Sequence, residues 1–205
     1  QSVGAASADA IRAELIGSDV CTEFALLPPK WGTPFALGWS VIPMRAGGKE
    51  PLIKWEEYQG RRPSLDEIAD WARRWPGCNV GIVTGEISGL VVLDLDTAEA
   101  IAEAERRGLP ATASVRTGRG GKHFYFEHPG VKVTSRSAWC AVKGLDTKGD
   151  GGYVVAAGSR HPNGNPYEWI MPPGLGLAPM PQWLQELACV DPTPLAGKAK
   201  QALNI

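Results

Sequence analysis

The stretch Leu90-Val-Val-Leu-Asp-Leu-Asp96 limits what this chain can become more than any other part of it. Its apolar run reads as a strand. Side chains alternate across a strand, so Asp94 and Asp96 project from one face and Leu93 and Leu95 from the other. Two carboxylates this close repel unless a cation sits between them or a proton neutralises one. Oxygen-rich pairs of this kind suit Mg²⁺ or Mn²⁺. A purely structural use also fits: Asp94 ends the strand, and Asp96 caps a helix beginning near Thr97.

The rest of the chain places this strand in an α+β domain. A length of 205 residues bounds it to one domain, or one with small appendages. Plentiful Gly and Pro indicate turns and short strands rather than a helical bundle. Residues 8–17 read as a short amphipathic helix, and 25–38, rich in Pro and Gly, as loop. Strands are expected at 39–43, 79–84, 90–96, 113–116, 122–127, 131–134 and 153–157. Ser64-Leu-Asp-Glu67 is a capping box that opens a helix with apolar residues at 65, 68, 69, 71, 72 and 75. A second helix spans 97–107, closed by Gly108, and a last one runs over 181–188 with Pro at its first position. Several strands in succession after residue 110, mixed with helices, give the α+β reading. The division expected is an appendage at 1–35, a catalytic domain at 36–189 and a tail or linker at 190–205.

Composition excludes some classes. No apolar run approaches the roughly 20 residues that span a bilayer, so no membrane partner is expected. The four cysteines, Cys21, Cys78, Cys140 and Cys189, are scattered without a C-x-x-C pair. That argues against a zinc finger and fits reduced thiols in the cytoplasm. The net charge of −1 hides an asymmetry: residues 116–160 carry eight Lys/Arg against three Asp/Glu. A basic segment in a neutral domain suits phosphates, or is a solvated face.

That segment contains three further motifs. In Thr117-Gly-Arg-Gly-Gly-Lys-His-Phe-Tyr-Phe126, glycines let backbone N–H groups approach an anion, and Arg119, Lys122 and His123 add charge and donors. It lacks the rest of a P-loop, and no helix follows. In Gly144-Leu-Asp-Thr-Lys-Gly-Asp-Gly-Gly-Tyr153, either Asp146 or Asp150 fits as a turn residue and nothing more; Asp150-Gly-Gly is the more natural turn, which leaves Asp146 free for a metal, and Lys148 is a further nucleotide-binding candidate. In Gly158-Ser-Arg-His-Pro162, Ser159, Arg160 and His161 form a mixture suited to triphosphate oxygens, or an ordinary polar loop. No G-x-S-x-G elbow supports a hydrolase. Trp55 and Trp139 are candidates for stacking on bases.

Taken in order, these motifs resemble the bifunctional primase/polymerase (Prim-Pol) domains of the archaeo-eukaryotic primase superfamily. The similarity starts near Ala36-Leu-Gly-Trp-Ser-Val-Ile-Pro43, takes in Lys49-Glu-Pro-Leu-Ile-Lys-Trp55 and Asn79-Val-Gly-Ile-Val-Thr-Gly85, and ends near Trp169. It implies an RRM-like catalytic core and a smaller α/β unit forming a cleft. It implies Asp94 and Asp96 as metal ligands with Asp146 as the third, two divalent ions, and His123 on the incoming triphosphate. Ser159, Arg160 and His161 fall near later phosphate-binding positions. The expected activity is template-directed nucleotidyl transfer on single-stranded DNA with NTPs or dNTPs, in plasmid or phage replication, with a helicase domain possible beyond the tail. A terminal nucleotidyltransferase, a nuclease and a non-catalytic nucleic-acid-binding module are the alternatives. One departure stands out: where the family's second motif often reads Ser-x-His, this chain has Gly121, so a hydroxyl contact is lost there, with backbone amides or Lys122 as candidate replacements.

Overall fold

The computed structural model of the chain describes residues 27–174 and 176–189. The helix expected at 8–17 and the tail at 190–205 lie outside the described residues. The first described element is helix α1 (Pro29–Ala36), where the sequence suggests loop. Two facts favour the helix despite Pro34 in its interior. Pro29 stands in the first turn, where no N–H is needed, and Trp31 is almost wholly buried and ties the helix to the core.

Strand β1 (Ser40–Met44) follows, then helix α2 (Leu65–Arg74). The capping box forms in both directions: Glu67 N–H donates to Ser64 Oγ, and Ser64 N–H donates to the Glu67 carboxylate. Helix α2 buries Ile68 and Trp71. Next come β2 (Asn79–Val83), β3 (Leu90–Leu95) and helix α3 (Ala98–Arg107). The second half is mostly strand: β4 (Ser114–Arg116), β5 (Lys122–Glu127), β6 (Leu145–Lys148), β7 (Tyr153–Val155), β8 (Glu168–Met171) and β9 (Ala178–Pro179). Helix α4 (Gln182–Ala188) closes the described chain, with Pro181 just ahead of its first residue.

The strands make two sheets. One has three antiparallel strands in the order β1-β2-β7; the other runs β6-β3-β5-β4-β8, with β9 added in parallel to the end of β5. Strand β3 separates two cores. Leu90 and Val92 join Ala113, Val115 and Tyr125 in a core shared with Val41, Ile82 and Val154 of the smaller sheet. Val91, Leu93 and Leu95, on the opposite face, pack with Ala100 and Ala104 of α3 and Leu184 of α4. Asp94 and Asp96 therefore continue the face that looks toward the smaller sheet.

The strand expected at 131–134 is replaced by isolated bridges. The backbone of Val133 is already committed, since its N–H donates to the Asp150 carboxylate (2.7 Å) and its carbonyl accepts from Asp150 N–H. The same carboxylate accepts from Glu86 N–H (3.0 Å) and lies 3.3 Å from His128 Nε2. Asp150 is thus a three-way tie as well as a turn residue. Burial raises its pKa, but the N–H groups of Val133 and Glu86 and the His128 ring outweigh this and hold it below the usual aspartate range. Its ionised form stabilises the fold above the unfolded-state value, and that contribution is lost as pH falls through the lower folded value. Asp150→Ala is expected to cost about 2–4 kcal/mol at neutral pH, since it strands buried donors. Urea unfolding at pH 7 and pH 3 checks this, and the gap to the parent should narrow at the acid pH.

Candidate metal and nucleotide site

Three adjacent strands assemble the site. Antiparallel register sets Asp146 of β6 directly opposite Asp94 on one side of β3, and His123 of β5 directly opposite it on the other. Cross-strand neighbours on one face stand roughly 5 Å apart at Cβ, so these three side chains share one space. Asp96 follows two residues along, just past the strand end. Carboxylate oxygens of Asp94, Asp96 and Asp146 all lie within 4.8 Å of one another.

Helix α3 is capped by Thr97, whose Oγ1 accepts from Ala100 N–H at 3.1 Å. The alternative use of Asp96 as that cap is thereby removed, and its carboxylate is left to the cluster. Asp146 is held from behind: Ser137 Oγ donates to Oδ2 and Ala138 N–H to Oδ1, each at 2.9 Å. The segment that delivers this N–H has left-handed backbone at Ala138, Cys140 and Ala141. Such strain in non-glycine residues persists only where the surroundings enforce it.

The electrostatics divide the two carboxylates of β3. Burial raises the pKa of Asp94, but His123, Lys148 and Lys49 outweigh it and hold the group below the ordinary range. Asp96 is pushed up by burial and by the charges of Asp94 and Asp146, against opposing help from Lys49 and His123. Among the described residues Asp94 Oδ1 is buried without a hydrogen bond, although His123 Nε2 stands 3.4 Å away. An orphaned buried carboxylate oxygen among three clustered carboxylates is a donor set that fits a hard divalent cation.

A cavity of about 360 Å³ opens over this cluster. Lys49, Lys148 and Tyr167 line it together with Asp94, Asp96 and His123, and the Gly151–Val155 stretch forms another wall. Lys148 Nζ lies 3.7 Å from Asp94 Oδ2 and 3.5 Å from Asp146 Oδ2.

The other candidates fall elsewhere. Lys122 points to the opposite side of β5 from His123 and pairs with Glu105 of α3 at 3.4 Å. Arg119 lies at the tip of the Gly-rich turn, in a second cavity of about 640 Å³ shared with Arg116 and Asn163. Ser159 is buried, and its Oγ accepts from Val80 N–H, which ties the loop to β2. Arg160 binds Asn79 through its backbone and the Gly164 carbonyl through its exposed guanidinium. His161 is buried behind the turn, against Gly118. None of these last three lines the cavity over Asp94. Trp139 is buried, with its indole N–H on Thr147 Oγ1, and Trp55 packs edge-on against Tyr153.

The model of the bifunctional DNA primase/polymerase family, N-terminal domain, matches residues 34–183. The chain belongs to this family. The match runs from inside α1 to inside α4 of this Prim-Pol domain and includes every residue of the cluster. Membership supports a primase/polymerase type of function and implies a DNA template and nucleotide substrates. No curated protein matches the chain. Among the described residues no helix is long and apolar enough to cross a membrane. The three described cysteines, Cys78, Cys140 and Cys189, are free thiols.

Lys49 and Tyr153 stand inside stretches singled out in the sequence but have no role assigned to them there, and Tyr167 lies outside those stretches; all three line the cavity. Lys49 arrives from the loop after β1 and Tyr167 from the segment before β8, both far from the Asp-x-Asp strand in sequence.

Proposed function

We propose that this Prim-Pol domain performs template-directed nucleotidyl transfer with two divalent ions, Mg²⁺ or Mn²⁺, held by Asp94, Asp96 and Asp146. The observation that carries this is the row Asp146–Asp94–His123 across three strands, with Asp96 beside it. It sets a carboxylate cluster against a basic side chain on one face, which is what a triphosphate bound through cations requires. When bound, the ions lower the pKa of an attacking 3′-hydroxyl and stabilise the leaving pyrophosphate. Ser137 and Ala138 hold the Asp146 carboxylate in place for them. His123 orients the triphosphate, and Lys49 and Lys148 neutralise its oxygens from two sides of the cavity. Arg119, at the tip of the neighbouring turn, meets phosphates farther along the nucleic acid. Tyr153, Val154 and Val155 form the wall that shields the reacting groups from water.

We read the six-stranded sheet as the RRM-like half. Its chain order β3-α3-β4-β5-β6 is that of a β-α-β-β-α-β unit in which a short segment with a 3₁₀ turn at 139–141 replaces the second helix. The three-stranded sheet is then the smaller unit, and the cavity between the two is the cleft. We take the catalytic unit to include α1, because Trp31 is buried in the shared core.

The test is extension of a primed single-stranded DNA template with dNTPs and Mg²⁺ or Mn²⁺, with a primer-free reaction alongside. Template-dependent products are expected. Products of equal length and composition without template would instead identify a terminal transferase, and degradation of the DNA without incorporation a nuclease.

A further inference from the structure

Lys148 occupies a position that a resident cation would contest. Its Nζ bridges Asp94 Oδ2 (3.7 Å) and Asp146 Oδ2 (3.5 Å), two of the three clustered carboxylates. Strand alternation puts Lys148 two residues from Asp146 on the same face, and register sets it opposite Val92, beside Asp94. The side chain is three-quarters buried, with 25% exposed, so the contact is not a loose surface pair. Lys49 lines the same cavity but makes no ion pair among the described residues. An ammonium and a divalent ion cannot both sit against the same pair of carboxylates without strong repulsion.

We propose that Lys148 is the built-in counterion of the cluster: it neutralises Asp94 and Asp146 before metal binds, is displaced by the metal, and then turns its Nζ to the phosphates of the incoming nucleoside triphosphate. This rests on the metal reading given above. One residue then sets an order of events. Metal entry releases the cation that the triphosphate needs, so the site is charged for its anion only when its ions are in place.

The inference makes two effects of opposite sign. With no nucleotide present, Lys148→Met should bind Mn²⁺ about tenfold more tightly than the parent, a coupling of ordinary size. At saturating Mn²⁺ the same variant should bind a dNTP about tenfold more weakly. Titration calorimetry with MnCl₂ alone, then with a dNTP at saturating Mn²⁺ without primer or template, reads both. Metal-free Lys148→Met should also melt below the parent and gain more from saturating Mn²⁺. Lys148→Arg keeps the charge and should bind Mn²⁺ like the parent, and Lys49→Met should tighten it less than Lys148→Met does. Equal Mn²⁺ affinity in parent and Lys148→Met overturns the counterion role and leaves the metal site standing. Weakening of both ligands, or equal tightening by Lys49→Met, overturns it too. If neither parent nor Lys148→Met binds Mn²⁺, the metal reading itself fails and this inference falls with it.

Discussion

Asp94→Asn is expected to lower nucleotidyl transfer by at least about a thousandfold, because removing one ligand of a site that stabilises developing charge costs several kcal/mol. Asp94 is the member of the cluster that faces all the others. Asp146 and His123 flank it in register, Asp96 stands two residues on, and Lys148 lies 3.7 Å from its Oδ2. Asparagine preserves its size and leaves the apolar face of Leu90 and Val92 intact, so the fold should survive. Asp94 is held ionised by its cationic neighbours and needs no deprotonation to accept a cation. Asp96 is pushed up by burial and by Asp94, so its share of metal affinity is gained as pH rises through its raised value. Steady-state extension rates and thermal melting of the same preparation check the prediction. Parental rates from a folded Asp94→Asn sample would sink the assignment of the cluster as the reaction centre.

The pair Asp94 and Asp96 was legible because strand alternation is a local rule. Asp146 was not legible from spacing, because its place depends on the register of β6 against β3. Strand β6 itself hides in sequence: Leu145-Asp-Thr-Lys148 has one apolar residue, and its second buried position is Thr147. That hydroxyl is satisfied by the Thr134 carbonyl and the Trp139 indole N–H, so a polar residue fills a core position. Helix α1 hides behind its prolines, since burial of Trp31 decides the segment and propensity does not. The capping box of α2 and the Gly108 end of α3 were readable, because caps are satisfied by residues three or four apart. The same alternation that paired Asp94 with Asp96 also parts Lys122 from His123, and only one of two adjacent strand residues can face the cluster. Ser159 looks like a phosphate ligand in sequence because a hydroxyl that bonds to backbone and one that bonds to substrate are written alike.

Gly121→Ser restores the hydroxyl of the family's more usual Ser-x-His pattern, yet it should harm this protein. A Cβ at position 121 would stand 2.5 Å from the Leu95 carbonyl oxygen and 3.2 Å from Asp96 Cα. Both contacts are with the backbone of β3 at the end that carries Asp96, so no side chain can swing aside to relieve them. Glycine is required here by close approach of two strands, not by an unusual dihedral. Relief must come from parting β5 and β3 at their shared end, which moves Asp96 away from Asp94 and Asp146. Overpacking of this kind costs about 1–3 kcal/mol. The loss of metal geometry should lower kcat more than it lowers stability, because small misplacements at a reacting centre cost roughly a hundredfold. The space is also already flanked by a hydroxyl, since Thr117 Oγ1 lies 3.1 Å from where the new Cβ would be and is buried without a hydrogen-bond partner among the described residues. Gly121→Ala separates the two possibilities: it adds the clash without the hydroxyl and should behave like Gly121→Ser. Melting temperatures and kcat for both variants decide the matter, and a serine variant as stable and as fast as the parent would show that the strands can part without disturbing Asp96.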